Sequence, residues 1–225
     1  MQLALDLPHR QSFRGEDFFI ASSNAAAVAL MDRWPDWPSH ALAIVGPAAC
    51  GKSHLAAVWR ARSNADMVTA EEVGARSRLM LRPHPAVIVE DADQALKEGR
   101  LDPVDLFHLY NWMREREGFL LLSGRVAPAQ WDVTLPDLRS RLLATPIANI
   151  EAPDDDLLAA LMVKRLSDRQ LHADPKLVDY VIPRIERSFA AMEKTVAALD
   201  AASLARKKPI TLPLARAVLS DLSFL

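Results

Sequence analysis

The sequence predicts an α/β domain built on a parallel sheet, followed by a small all-helical domain. From about Asp17 to Ile150, short β-rich apolar runs alternate with helical patterns, which is the rhythm of βαβ units. Beyond Pro153 no β-rich run recurs, and helical periodicity continues to the last residue. The length, 225 residues, suits one medium domain and one small one at roughly 100–200 residues per domain.

The first residues, MQLALDLPHRQSFRG, join alternating leucines to a polar, basic stretch and are too short to own a core. Residues 1–15 therefore read as a flexible arm, 16–152 as the α/β domain and 153–225 as the helical domain. Strands are predicted at 41–45 (ALAIV), 66–70 (DMVTA), 86–90 (AVIVE), 119–123 (FLLLS) and 145–150 (TPIANI). Unbroken apolarity in AVIV and FLLL suits strands covered by helices on both faces, where alternation is not required. The intervening helices are expected at 24–33, 52–63, 71–81, 103–117 and 136–143. In the C-terminal domain they are expected at 154–171, 175–186, 188–206 and 211–222. Asp154, Asp155 and Asp156 open the first of these, where carboxylates cap free N–H groups and favour the positive end of the helix dipole. A metal site built from the triplet is the competing reading of the same residues.

Composition excludes several classes. Half the residues are hydrophobic and a quarter charged, the globular mixture, which removes long disorder, collagen and disulfide frameworks. Lys plus Arg number 27 against 29 Asp plus Glu, a net charge of −2, so no overall basic excess points to a dedicated nucleic-acid binder. The lone cysteine, Cys50, has no intramolecular disulfide partner, and the N-terminus lacks the pattern of a secretory signal. No apolar run approaches the roughly 20 residues that cross a bilayer. A cytoplasmic protein with no membrane association is the expectation.

The strongest local signal is Gly46-Pro47-Ala48-Ala49-Cys50-Gly51-Lys52-Ser53, a full GxxxxGK[ST] match that follows the strand ALAIV and opens a helix. Its glycines let the backbone curl so that successive N–H groups surround phosphates, with the helix N-terminus behind them. Lys52 then reaches the outer phosphates and Ser53 ligates Mg²⁺, with His54 following in the helix. The second half of such a site is an acidic end to a neighbouring buried strand, supplied by Ala86-Val87-Ile88-Val89-Glu90-Asp91. One carboxylate holds Mg²⁺ and the other orients the attacking water, and the assignment between Glu90 and Asp91 stays open. Cys50, beside Lys52 and a helix N-terminus, has surroundings expected to favour thiolate, so redox control stands beside the simpler reading of a small residue that fits the loop. The six histidines show no pair spacing of a zinc site.

Beyond the phosphate loop, the chain resembles the AAA+ family over nearly every segment and, within it, the DnaA-related Hda family. Asp17-Phe18-Phe19-Ile20-Ala21-Ser22-Ser23-Asn24-Ala25 resembles the box that lines the adenine pocket of DnaA-type proteins. Leu106-Phe107-His108-Leu109-Tyr110-Asn111, Leu120 to Arg125, and Leu135-Pro136-Asp137-Leu138-Arg139-Ser140-Arg141-Leu142 are similar to Hda segments. The resemblance implies an AAA+ P-loop domain with a parallel sheet and a helical lid. It implies bound ADP or ATP with Mg²⁺, and Phe19 and Ile20 near the base. It places Ser123 at the first sensor position and Arg141 at the arginine finger, which completes a neighbouring subunit's site; Arg139 is the competing candidate. The second sensor arginine of the family falls on Ala190, with Arg187 one turn earlier as a stand-in, so at most weak ATPase activity of its own is expected.

Gln2-Leu3-Ala4-Leu5-Asp6-Leu7 resembles the hexapeptide that docks on the sliding clamp, the β subunit of DNA polymerase III, with Gln2, Leu3, Leu5 and Leu7 as the contact residues. Addition of this segment to the protein's own sheet is the alternative. After the last predicted helix no residues are expected to form the helix-turn-helix domain of DnaA, so direct sequence-specific DNA binding is not expected. The implied function is negative regulation of replication initiation. Nucleotide-bound and tethered to the clamp, the protein stimulates hydrolysis of ATP on its partner DnaA, as a monomer or a homodimer. Two alternatives remain: a self-assembling AAA+ ATPase such as a helicase loader, and a non-catalytic DnaA-binding adaptor.

Overall fold

The computed structural model describes residues 9–11, 17–75, 85–172, 174–206 and 209–222. These fall into two compact units, one containing Asn24–Glu151 and the other Phe19–Ser23 with Ala152–Leu225.

The first unit holds a five-stranded parallel sheet. In chain order its strands are β3 (Ala41–Val45), β4 (Asp66–Val68), β5 (Ala86–Val89), β6 (Phe119–Gly124) and β7 (Ile147–Asn149). They are arranged β4-β5-β6-β3-β7. A separate two-stranded sheet pairs β1 (His9–Gln11) with β2 (Asp17–Phe19). The central strands β3 and β5 are buried along their whole length, so their sequences carry no polar alternation. Helix α1 (Ala25–Asp32) packs on β7, α2 (Lys52–Ser63) on β5 and β6, and α3 (Ala92–Lys97) and α4 (Pro103–Glu115) on β6. Helix α5 (Pro136–Leu143) lies against α4.

Helix starts follow local chemistry. Asp102 caps α4 by accepting from the Val104 N–H at 2.7 Å, and Pro103 supplies a first residue that needs no N–H partner. Pro136 likewise supplies the first residue of α5, here after Leu135 and without a side-chain cap. The helix expected over 71–81 is instead a 3₁₀ turn over Ala70–Ala75, with residues 76–84 outside the described set. That turn packs on α4, and a side chain on Gly74 would stand 2.7 Å from an Asp105 carboxylate oxygen. Helix α3 was not anticipated from the sequence. Beside the sheet, Trp37 stacks on Trp59 with ring centroids 5.0 Å apart, and Trp34 and Phe119 meet them edge-on.

In the second unit, α6 (Asp155–Asp168), α7 (Pro175–Val181), α8 (Phe189–Arg206) and α9 (Leu212–Leu222) enclose their own core, with Leu158, Met162, Val181, Val196 and Leu199 fully buried. Asp154 caps α6: its carboxylate accepts from the Leu157 N–H at 2.8 Å and from the Ser22 hydroxyl at 2.9 Å. Among the described residues no helix is long and apolar enough to cross a membrane.

Candidate functional site

Where β3 ends, the chain turns through Gly46–Gly51 into α2. Gly46 has no room for a side chain: a Cβ there would lie 2.2 Å from the Ile150 carbonyl oxygen and 2.7 Å from the Cys50 sulfur. The Ile150 strand end cannot easily retreat, because its N–H donates to the Val45 carbonyl at 2.7 Å. Pro47, Ala48 and Ala49 are exposed, Ala49 and Gly51 have positive φ (54° and 104°), and Gly51 stands at the start of α2 without a side-chain cap. Lys52 is buried at 7% exposure, and its ammonium donates to the Gly46 and Pro47 carbonyls at 2.9 and 2.8 Å. The lysine thus threads the loop it belongs to. Ser53 is exposed and His54 half-buried beside it.

Two strands away β5 delivers Glu90 and Asp91, and β6 between them delivers Ser123. The registers Val89 with Leu122 and Ile44 with Ser123 bring the three strand ends to one level. One carboxylate oxygen of Glu90 is buried with no hydrogen-bond partner among the described residues. An orphaned acceptor of this kind suits a hydrated cation, so the donor set fits Mg²⁺. Asp91 is exposed and starts α3 with φ 47°. Its N–H donates to the Ser123 hydroxyl oxygen at 3.0 Å, and Ser123 is only 1% exposed. Accepting this bond leaves the serine O–H free to donate elsewhere.

The Cys50 environment differs from the expectation. The residue is buried, and burial pushes its thiol up, outweighing the opposing pull of the Lys52 charge. A thiol held neutral is a poor redox sensor, so the fitting role of a small residue stands.

Arg141, on α5, lies away from these groups. Its guanidinium sits over the Phe107 ring, 5.2 Å from the centroid, and its Nε is buried without a partner among the described residues. It is close enough to His40, the residue before β3, to oppose protonation of that imidazole. The phosphate loop follows the other end of the strand, and five residues of β3 separate the two levels by roughly 16 Å. Arg139 is exposed.

In the other unit Arg187 is 67% exposed and paired with Asp155, with bonds of 2.9 and 3.1 Å, while Ala190 is exposed. Phe19 and Ile20 are half-buried, with the Lys164 ammonium 5.8 Å from the Phe19 ring centroid. Gln2, Leu3, Leu5 and Leu7 lie outside the described residues. Sequence reasoning missed Asp93, a buried carboxylate two residues past Asp91, and the Phe107 ring under Arg141; both reveal themselves only through partners distant in the chain.

Residues 154–219 match the family described as the lid domain of Hda. The chromosomal replication initiator DnaA of Cutibacterium acnes is 24% identical over 230 residues, covering 92% of this chain and 46% of that protein. The chain thus spans about half the length of that relative. Domain III of Thermotoga maritima DnaA superposes with a TM-score of 0.73 at 17% identity, covering 91% of this chain and 94% of that one. AMPPCP-bound DnaA from Aquifex aeolicus superposes with a TM-score of 0.64 at 16% identity, covering 81% and 63%. With its parallel β4-β5-β6-β3-β7 sheet and the glycine-rich loop after β3, the chain has the fold of DnaA domain III, is similar in sequence to DnaA over most of its length, and has C-terminal helices similar to the lid of Hda.

Proposed function

We propose that this chain is an Hda-like negative regulator of replication initiation, which binds adenine nucleotide and stimulates hydrolysis of ATP held by DnaA. The observation that carries the reading is the separation of two parts within one unit: a phosphate loop with Lys52 at one end of β3, and Arg141 at the other end. An arginine so far from its own loop is suited to another protein's nucleotide.

In the chain's own site, Lys52 exchanges its two loop carbonyls for phosphate oxygens. Ser53 and Glu90 would hold Mg²⁺, which when bound would neutralise phosphate charge, and the orphaned Glu90 oxygen favours Glu90 over Asp91 for the metal. Asp91 orients water, and Ser123 donates its free O–H toward the outer phosphate. Phe19 and Ile20 flank the base, and residues 153–225 act as the lid. Arg187, tied to Asp155, and Ala190 leave the lid without a committed sensor arginine, which supports a slow ATPase of the chain's own. Either ADP or ATP serves as the resident ligand.

Arg141 enters the interface with DnaA and places positive charge where negative charge gathers on the transferring phosphoryl group. Fingers of this type contribute about 10³–10⁵ in rate, or roughly 4–7 kcal/mol of barrier. Residues 1–15 serve as a tether, with Gln2, Leu3, Leu5 and Leu7 on the sliding clamp, raising the local concentration of the regulator.

The test loads DnaA with labelled ATP, adds DNA-loaded clamp and nucleotide-bound protein, and compares wild type with Arg141→Ala and Gln2→Ala. Stimulation by wild type that both variants lose is expected. Wild type without effect, or Arg141→Ala as active as wild type, rejects the proposal.

A further inference from the structure

Among the described residues two charged side chains are buried, Lys52 and Asp93. The lysine belongs to the phosphate loop. Asp93, 6% exposed, has no role in the site so far, yet an ionised carboxylate taken out of water is costly unless its oxygens are fully bonded. Both oxygens are bonded to backbone. Oδ1 accepts from the Gln94 N–H at 2.8 Å, which is local to the start of α3, and Oδ2 accepts from the Arg125 N–H at 2.7 Å, 32 residues away.

The second bond has a counterpart. The Asp91 N–H donates to the Ser123 hydroxyl, also across 32 residues, so segment 91–93 and segment 123–125 are joined by two rungs, one in each direction. These rungs continue the parallel β5–β6 ladder, through side chains, past its last backbone pair at Val89 and Leu122. Between them sits Gly124, where a Cβ would stand 3.2 Å from the Asp93 carboxyl carbon and 3.1 Å from the Trp131 ring, so the approach needs a bare backbone. The Gly124 carbonyl in turn accepts from the Gly46 N–H at 3.2 Å, the first residue of the phosphate loop. The acidic strand end, the serine and the loop are therefore tied to one short segment, and Asp93 anchors that segment.

We propose that Asp93 is a positioning residue for Mg²⁺-nucleotide binding: it fixes segment 123–125, and through it the relation of Ser123 and the Glu90–Asp91 carboxylates to the phosphate loop. The inference rests on the nucleotide-binding reading above. A local contact within the first turn of α3 accounts for the Gln94 bond but not for the bond to Arg125.

The test measures binding of a fluorescent ATP analogue to the full chain, with Mg²⁺ and with EDTA, for wild type, Asp93→Ala and Asp93→Asn. Loss of a buried hydrogen-bond acceptor predicts about a tenfold or larger fall in Mg²⁺-nucleotide affinity for Asp93→Ala, with the metal-free affinity changed less than about twofold. Asp93→Asn keeps one acceptor for the Arg125 N–H and should lie between the two. Equal losses with and without Mg²⁺, or no loss in Asp93→Ala, overturn the proposal in favour of a purely structural carboxylate. Where Asp93→Ala does not fold, Asp93→Asn decides by the same criterion, a Mg²⁺-selective loss supporting the proposal and an equal loss rejecting it. Wild type that binds no nucleotide under either condition rejects the underlying reading and the inference with it.

Discussion

Gly46→Ala is the smallest change that interrogates the phosphate loop. The added methyl would stand 2.2 Å from the Ile150 carbonyl oxygen, where ordinary contact begins near 3.4 Å, so about 1.2 Å of separation must be found. Two routes exist, and both are resisted. Moving the Ile150 carbonyl strains the 2.7 Å bond from the Ile150 N–H to the Val45 carbonyl, at the end of a strand whose residues are all buried. Moving the loop instead drives the new methyl toward the Cys50 sulfur and disturbs the Gly46 carbonyl that holds the Lys52 ammonium. Overpacking of this kind costs about 1–3 kcal/mol, which in a chain of this size lowers the melting temperature by roughly 2–12 °C. Thermal unfolding of the apo protein reads the packing cost, and titration with a fluorescent nucleotide reads the loop. The variant should melt lower and bind nucleotide far more weakly. A variant that melts and binds like wild type would refute both the close packing of Gly46 and the role of its loop.

Two further perturbations follow from the same structure. Burial is the largest influence on His40, and with the nearby Arg114 and Arg141 charges it holds the imidazole below its ordinary value of 6.5. The unfolded chain then takes up the proton first, so this residue's contribution is present above pH 6.5 and is lost as pH falls through the folded value. Urea unfolding at pH 7.5 and 5.5 should show less acid destabilisation for His40→Gln than for wild type, and identical pH profiles would count against the assignment. Asp154→Ala removes a helix cap and the bond from Ser22, and should cost about 1–2 kcal/mol, read as a lower denaturant midpoint at unchanged slope. A midpoint equal to wild type would argue that the cap contributes nothing.

Much of the half around the Gly46–Ser53 loop was legible because its signals are local. ALAIV followed by the Gly46–Ser53 loop gave β3 and α2 with their observed bounds, since a continuous apolar run, a glycine turn and a helical pattern adjoin in sequence. Pro103 after Asp102, and Pro136, marked the starts of α4 and α5 for equally local reasons. What escaped depends on tertiary partners. Asp93 looks like one more solvated acid until its bond to Arg125 is seen, and α3, only six residues long, carries too little periodicity to register. The turn over Ala70–Ala75 follows a helical pattern but packs against α4 with Gly74 near Asp105, a contact no local pattern encodes. For Cys50, proximity to Lys52 was visible in sequence while the depth of burial that outweighs it was not.

The central claim is that Arg141 serves a nucleotide held by another protein. The most direct measurement follows single-turnover hydrolysis of labelled ATP placed either on DnaA or on this chain, over a range of concentrations of wild type and Arg141→Ala. The account predicts that DnaA-bound ATP is hydrolysed faster as wild type is added, by about 10³-fold or more at saturation, while Arg141→Ala leaves it at its basal rate. ATP on the chain itself should turn over slowly and at the same rate in both forms. Hydrolysis of the chain's own ATP that rises with its concentration and vanishes in Arg141→Ala, with DnaA-bound ATP unaffected, would contradict the account and identify a self-assembling ATPase.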